Sequence, residues 1–528
     1  MQTDTVEIEK PQGEWIALEH VIAYDLGTGG TKASVYDAHG AALASAFISV
    51  DTHFSPEGFH EQLPEDWWQS VVQSTQNLLA KTGIAPDTVA GLAVSGHSLA
   101  AAPLGADGSL LTSLTPIWTD SRAGAQAKRF FETVDEVQWY TVTGNGFPAP
   151  LYSLFKLMWL KDNSPDLYKK AACFLGTKDY VNYRLTNVMA TDHSYASGSG
   201  AYDLRDMVYR TDYLRAAGVD ASKLPPLMAS ADIVGKLTAA SAAALGLLQG
   251  TPVVAGGVDN ACMALGAACV ADGDAYTSLG TSAWIAVTSH TPIVNPTRRS
   301  YVFAHCIPGM FASATCIFSA GNSLRWVKNN LCLDLVAQAE LEQLDVYDLM
   351  TALAATSPVG ANRLLFNPSL AGGSATEKSP NIRGAFLGLT LAHTRADVLR
   401  ATLEGVALNL RLSLDVLRTI TPIGKDMLLV GGGGKSRVWR QIIANAYGMD
   451  VLSTNVGQDA GSLGAMACAA VGTGLWKSLS DVRTAHHALQ RITPEPPAAA
   501  QYERLLPTFQ LAADMQAQLG EALTKLAL

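Results

Sequence analysis

The sequence predicts an α/β protein of two lobes with related topology flanking a central cleft. Three observations predict it. A hairpin signal is used twice, about 250 residues apart: Asp25-Leu26-Gly27-Thr28-Gly29-Gly30-Thr31-Lys32 and Ser278-Leu279-Gly280-Thr281-Ser282, each flanked on both sides by β-type residues. The order strand, helix, strand over residues 21–95 suggests a mixed sheet with helices packed on it. In the second half an apolar strand at 427–430 runs into Gly431-Gly432-Gly433-Gly434 and then a helix, a further β–loop–α step.

A chain of 528 residues, 48% hydrophobic and 16% charged, has ample material for two large cores. Its formal net charge of −10 disfavours nucleic acid and anionic membranes as partners, because affinity for polyanions rests on Lys and Arg. A local phosphate pocket remains compatible with that balance. The seven cysteines are odd in number and show no Cys-x-x-Cys spacing, so buried, reduced thiols without a metal cluster are expected. The first 20 residues lack an apolar core, so no signal peptide is expected. No run approaches the roughly 18 apolar residues of a membrane helix. A cytoplasmic location is the expectation.

Taken in order, residues 1–19 read as an N-terminal extension. Residues 20–250 are expected as the first domain, with strands at 21–24, 33–37, 44–50 and 91–95. A helix opens at Pro64, with a proline and two acids, Glu65 and Asp66, in its first turn. Residues 125–236 read as helical and aromatic-rich, carrying substrate-facing insertions. The break between Gly246 and Thr251 marks the expected boundary, and residues 251–490 form the second domain. There Thr394 and Asp397 make a capping box for a long helix from Arg395 to about Arg418. A strand at 427–430, the glycine run, a helix at 438–447 and a strand at 451–453 follow, and residues 491–528 end as an amphipathic helix on the back of a lobe.

Turns of Gly and Thr or Ser let N–H groups and hydroxyls approach a phosphate without Cβ obstruction. Gly27, Thr28, Gly29, Thr31 and Lys32 in one hairpin and Gly280, Thr281 and Ser282 in the other are therefore candidate grips on a nucleotide triphosphate. Asp25, beside the first grip, fits a Mg²⁺ held through water, or else serves as a turn acceptor. Gly432, Gly433 and Gly434 with Ser436 would let a base or ribose lie against bare backbone near a helix N-terminus. The run is no Walker A loop, because the first glycine of that motif falls on Leu429. Asp259 follows an apolar strand and a glycine pair and precedes an Ala-rich helix. It is the candidate general base for a sugar hydroxyl during phosphoryl transfer, with helix capping as a role that can coexist. Trp118, Asp120 and Arg122, and His97 with Ser98, are candidate sugar contacts; Asp120 and Arg122 could equally order one another.

The set resembles the FGGY carbohydrate kinases, of the actin-like ATPase and sugar kinase superfamily, over about residues 20–490. Two signatures carry the resemblance. One is Gly384-Ala385-Phe386-Leu387-Gly388-Leu389, seven residues, then Asp397-Val398-Leu399-Arg400-Ala401-Thr402-Leu403-Glu404; the other is Ser153-Leu154-Phe155-Lys156-Leu157-Met158-Trp159-Leu160-Lys161-Asp162-Asn163. The resemblance implies two RNase H-like domains with ATP and a sugar between them, and Asp259 as base. It implies Asp25 and Asp259 near Mg²⁺, both hairpins on phosphates, and Gly432, Gly433 and Ser436 with Asn445 beside the adenosine. Within the family the likeness is strongest to xylulokinases. These typically carry Gln-Met-His-Gly where this chain has His97-Ser98-Leu99-Ala100, and Gly-Glu-Arg-Thr-Pro where it has Gly372-Gly373-Ser374-Ala375-Thr376. Many relatives carry Ser or Thr at the position of Gly29.

The expectation is an ATP-dependent kinase of a small ketose, D-xylulose first, acting as a homodimer. Kinases of another ketose or polyol (ribulose, erythrulose, xylitol, ribitol) are the alternative. From other classes come a nucleotide-switched ATPase, which would need no sugar, and a non-catalytic sugar-sensing paralogue.

Overall fold

A computed structural model of the protein describes residues 7–9, 15–17, 19–374 and 377–526. The departure noted at Ala375 and Thr376 lies outside these. In the extension, Glu7–Glu9 pairs antiparallel with Trp15–Ala17.

Val21, Ile22, Ala23 and Tyr24 are all buried, the mark of a strand covered on both faces. They belong to β1 (His20–Gly27), which turns through the first glycine–threonine hairpin into β2 (Gly30–Asp37), followed by the half-exposed edge strand β3 (Ala42–Ser49). On the other side of β1 runs β4 (Val89–Gly96), parallel to it. β5 (Ile233–Lys236) forms the far edge, antiparallel to β6 (Pro252–Val258), and β6 is parallel to β4. The order is β5-β6-β4-β1-β2-β3. Helix α1 (Pro64–Thr82) lays Trp67, Trp68, Val71 and Leu78 on one face of this sheet, and α2 (Thr177–Thr186) joins the same core. β6 leads directly into α3 (Asp259–Gly266).

The second sheet repeats the first. β7 (Ala275–Leu279) and β8 (Ala283–Ser289) form the second hairpin, and β9 (Tyr301–Ala304) and β10 (Phe311–Ile317) add antiparallel beyond β8. Helix α4 (Gly321–Leu331) and the long α5 (Arg395–Arg418), with its capping box of Thr394 and Asp397, precede β11 (Asp426–Val430). α6 (Arg437–Tyr447) then connects to β12 (Asp450–Thr454), and both strands lie parallel to β7. Helix α7 (Ala460–Gly472) intervenes before the antiparallel edge strand β13 (Ala488–Ile492). The tail is α8 (Pro496–Leu523). From the central hairpin outward, both sheets have two further parallel strands and an antiparallel edge on one side. This is the two-domain α/β architecture expected from the twin hairpins.

The expected boundary at residues 250/251 is corrected. β6 completes the first sheet, with Val253 opposite Leu92 and Val258 opposite Gly96, so the first lobe runs through Val258. The glycine at 246 is the left-handed cap of a short helix, Ala239–Leu245, which is why a strong break signal falls inside a lobe.

Two helices stitch the lobes together. α3 leaves the first sheet, while α7, from the second half of the chain, packs on β1, β4 and β6 of the first. They cross at backbone contact: a Cβ on Gly464 would lie 1.9 Å from the Cys262 carbonyl oxygen, and one on Gly266 1.8 Å from that of Ala460. The seven cysteines are buried and unpaired. No helix among the described residues is long and apolar enough to cross a membrane.

Candidate active site

The parallel strands deliver their C-terminal ends to one edge of each sheet, where α/β proteins bind ligands. In the first sheet, register places Leu26, Gly96 and Val258 in one row. The residues just beyond are Gly27 of the hairpin turn, His97 and Asp259. In the second sheet Ser278 lies opposite Val430, which sets the Gly280–Ser282 turn beside the Gly431–Lys435 loop.

Asp259 is the first residue of α3 and is half-buried. Burial, then the negative charge of Asp25, push its carboxyl up to about 7, against the hydrogen bonds it accepts from Asn260. Those bonds, from the Asn260 N–H at 2.8 Å and from Nδ2 at 2.7 Å, both fall on Oδ1. Oδ2 has no partner among the described residues. Asp25 accepts from Ser95 Oγ at 2.9 Å. Its carboxyl is also raised, by burial first and by Asp459, with Ser95 and Lys32 opposing. Its other face meets the first turn of α7, where a Cβ on Gly461 would lie 2.7 Å from Oδ2. Lys32 ion-pairs with Asp459. Two carboxylates, each with an oxygen short of a partner and one raising the other's pKa, are hard oxygen donors that suit Mg²⁺.

Among the candidate sugar contacts, His97 is 2% exposed, and neither ring nitrogen has a partner among the described residues. Burial holds its imidazole neutral, with a pKa near 4. Ser98 is buried beside it. Trp118 Nε1 donates to Thr28 Oγ1 at 2.8 Å, tying this loop to the first hairpin. Asp120 and Arg122 bind each other bidentately, at 2.8 and 2.7 Å. Arg122 also pairs with Glu61 at 2.7 Å and lies 3.8 Å from the Phe59 ring centroid. Of their two sequence readings the structure therefore favours mutual ordering: Nε and Nη2 of Arg122 are both committed to carboxylates.

The candidate nucleotide grips Gly280, Thr281, Gly432, Gly433 and Ser436 line a cavity of about 410 Å³. It joins the second hairpin to the glycine run, as their shared chemistry suggested. Ser282 is exposed beside it on the same turn. Gly431 needs its φ of +93°, since a Cβ there would lie 2.7 Å from the Leu279 carbonyl oxygen.

Three sequence-chosen residues are placed elsewhere. Thr31 is 1% exposed and its Oγ1 bonds Ser70 Oγ at 2.6 Å, because strand alternation turns it inward while Lys32 points to the opposite face. Asn445 is tied to Gln441 and to the Glu495 backbone behind α6, away from the cavity lining. Gly434 packs against Leu429 outside that lining. Conversely, Gly321 and Arg325 of α4, Lys435, Tyr347 and Gln458 line the cavity and had not been singled out. The Gly321 N–H donates to the Gly280 carbonyl at 2.9 Å, so α4 starts on the hairpin itself. Its signal was the small run Ser319-Ala320-Gly321-Asn322-Ser323 ahead of an amphipathic stretch.

Two repeated sheets, a hairpin from each and a half-buried carboxylate at their seam define a phosphotransferase that works across a cleft. The chain belongs to the FGGY family of carbohydrate kinases: the model of the family's N-terminal domain matches residues 20–266 and that of the C-terminal domain residues 275–473. It is 30% identical to a xylulose kinase of Bacillus subtilis (strain 168) over 468 residues, 88% of this chain and 90% of that one. The solved xylulose kinase from Rhodospirillum rubrum is similar with a TM-score of 0.85 at 29% identity, over 95% of this chain and 100% of that one. The gluconate kinase from Lactobacillus acidophilus reaches 0.86 at 25% identity, over 95% and 99%. The protein is an ATP-dependent carbohydrate kinase, similar to xylulose kinases.

Proposed function

We propose that the protein transfers the γ-phosphate of Mg-ATP to a hydroxyl of a small neutral ketose, D-xylulose first, with Asp259 as general base. The carrying observation is the placement of Asp259: the first residue of α3 at the C-terminal end of β6, with Oδ1 held by Asn260 and Oδ2 without a partner among the described residues. Burial and Asp25 raise its carboxyl towards neutrality. A base poised near neutrality can accept a hydroxyl proton as the bond to phosphorus forms. The hydroxyl oxygen bonds the γ-phosphorus, the bond from that phosphorus to the β–γ bridging oxygen breaks, ADP leaves, and the proton rests on Asp259 until solvent takes it. Asp25 and Asp259 would hold Mg²⁺, which supplies charge neutralisation to the phosphates. The Gly27–Gly29 and Gly280–Ser282 turns offer N–H and hydroxyl groups to the same oxygens.

A neutral substrate is favoured over an acid sugar. The basic side chains beside the candidate sugar loops are already engaged: Arg122 with Asp120 and Glu61, Lys178 with Asp179 and Asp192, Lys156 with two carbonyls. A cytoplasmic location and a homodimer are proposed with this reading. For the dimer, α8 presents Leu511, Met515, Leu519 and Leu523, each about half exposed or more, as an apolar ridge that a second α8 would cover. Sedimentation showing only monomer at micromolar concentration would remove it.

The test of function is ADP release with Mg-ATP over D-xylulose, L-xylulose, D- and L-ribulose, erythrulose, xylitol, ribitol, glycerol and gluconate. Selective turnover of D-xylulose, lost in Asp259→Asn, is expected. Gluconate turnover with D-xylulose inert would replace the sugar. ATP turnover without any sugar would replace the class, and silence with ATP bound would favour a sensor.

A further inference from the structure

Strand β6 does not run straight into Asp259. Its register against β4 shifts between Val254 and Gly257. Gly256 adopts φ +65°, where a Cβ would lie 2.0 Å from the Val94 carbonyl oxygen. A bend of this kind turns backbone groups out of the ladder, and four of them find partners outside β4, the first being the Ala255 N–H, which donates to the Asp232 carbonyl at 2.9 Å. The Ala255 carbonyl accepts from Lys178 Nζ at 3.3 Å and Asn182 Nδ2 at 2.9 Å. The Gly256 N–H donates to the Ser230 carbonyl at 3.0 Å. The Val258 N–H, one residue before Asp259, donates to Ser194 Oγ at 2.9 Å.

Lys178, Ser194 and Ser230 converge on one carboxylate. Asp192, fully buried, accepts from Ser194 Oγ, from Ser230 Oγ at 2.7 Å and from Lys178 Nζ at 2.9 Å. Lys178 is itself fully buried and also pairs with Asp179 at 2.6 Å. A buried ion pair gains little stability against apolar residues of the same shape. Its presence under this bend calls for another reason. Ser194 also occupies the space that a side chain at 257 would take, since a Cβ on Gly257 would lie 2.9 Å from its Oγ.

We propose that Lys178, Asp192 and Ser194 are positioning residues for Asp259. They satisfy the backbone of the bend and so fix the direction in which the first residue of α3 projects its carboxylate. The proposal rests on Asp259 being the base. None of the three reaches the substrate; they act through the Val258 and Ala255 backbone.

The test compares Ser194→Ala and Asn182→Ala, each removing one bond to the bend, with Ser241→Ala. Ser241→Ala removes a buried hydroxyl bond to the Leu185 carbonyl elsewhere in the lobe. Asp259→Asn is assayed alongside. Misplacing a reacting group by a fraction of an ångström costs roughly 10- to 100-fold, so Ser194→Ala should lower kcat by about that factor with KM for sugar and ATP little changed. Amide exchange of the 253–259 segment should quicken in both bend variants and not in Ser241→Ala. The second bend variant keeps the proposal testable if the first is insoluble. Full kcat in both, or a loss matched by Ser241→Ala, overturns it. An active Asp259→Asn would instead remove the base assignment, whatever the bend variants do.

Discussion

At the scale of single residues, the site depends on buried groups whose charge is set by their surroundings. Lys156 is fully buried and donates to the carbonyls of Leu99 at 2.9 Å and Ile117 at 2.6 Å. It thereby holds the loop after β4 to the loop carrying Trp118. Burial pulls its pKa down to about 7, with Asp120 opposing and Arg122 assisting. The unfolded chain holds that proton up to about pH 10, so between about 7 and 10 it binds more protons than the folded one, and stability must rise with pH there. Lys156→Met removes this dependence and leaves the Leu99 carbonyl unpaired, while the Ile117 carbonyl keeps the Asp120 N–H at 3.1 Å. The melting temperature of the parent should therefore exceed that of Lys156→Met by a margin that widens from pH 7 to about 9.5. A constant margin would show that Lys156 stays charged in the fold. Gly29 makes the opposite case. A Cβ there meets nothing within 4 Å, so Gly29→Ser has room for a hydroxyl beside the phosphate grip. It should leave melting unchanged and lower KM for ATP; a raised KM would mean that bare backbone is what the phosphate requires.

At the scale of elements, the two stitching helices hold the cleft. Ala on Gly464 or Gly266 drives a methyl into the carbonyl of the other helix, an overpacking that rigid backbone relieves poorly and that costs about 3 kcal/mol, the upper end of the usual range. Gly464→Ala should lower the melting temperature by several degrees and reduce soluble yield. Gly124→Ala, whose Cβ meets nothing within 4 Å, should be neutral. Equal melting of the two would mean that the helices can slide apart without loss. What was legible in the sequence followed range. Both hairpins, the capped helix Arg395–Arg418 and the loop before α6 are written in neighbouring residues, and each forms where expected. The boundary at 250/251 failed because a strand after a glycine break can pair backwards as readily as forwards. Thr31 and Asn445 sit in motifs that point towards phosphate and adenosine, yet strand alternation and the packing of α6 against the 493–495 segment turn them away. Asp459 and Gly321 come to the site from 434 and 296 residues beyond Asp25, distances over which no local pattern speaks.

At the scale of the whole molecule, the arrangement separates binding from chemistry. The cavity proposed for the nucleotide is lined by residues between 280 and 458, all in the second lobe, whereas the candidate sugar contacts and the first hairpin belong to the first. Phe147 and Tyr301 stack across the lobes with centroids 3.9 Å apart, on the same seam that α3 and α7 cross. In the proposed mechanism nucleotide alone settles on one lobe without recruiting Lys32, Asp25 or Asp259, and sugar alone settles on the other. Only both together connect the phosphate to both hairpins, and closure then excludes the water that would otherwise take the phosphoryl group. The radius of gyration from X-ray scattering should fall when a non-hydrolysable ATP analogue and the sugar are added together, and change little with either one. Asp259→Asn should close to the same extent, since it loses a proton acceptor and no lobe-to-lobe contact. Contraction by the nucleotide alone would mean that ATP bridges the lobes unaided. Sugar would then no longer be needed to commit the phosphate, and ATP hydrolysis without sugar should rise in step.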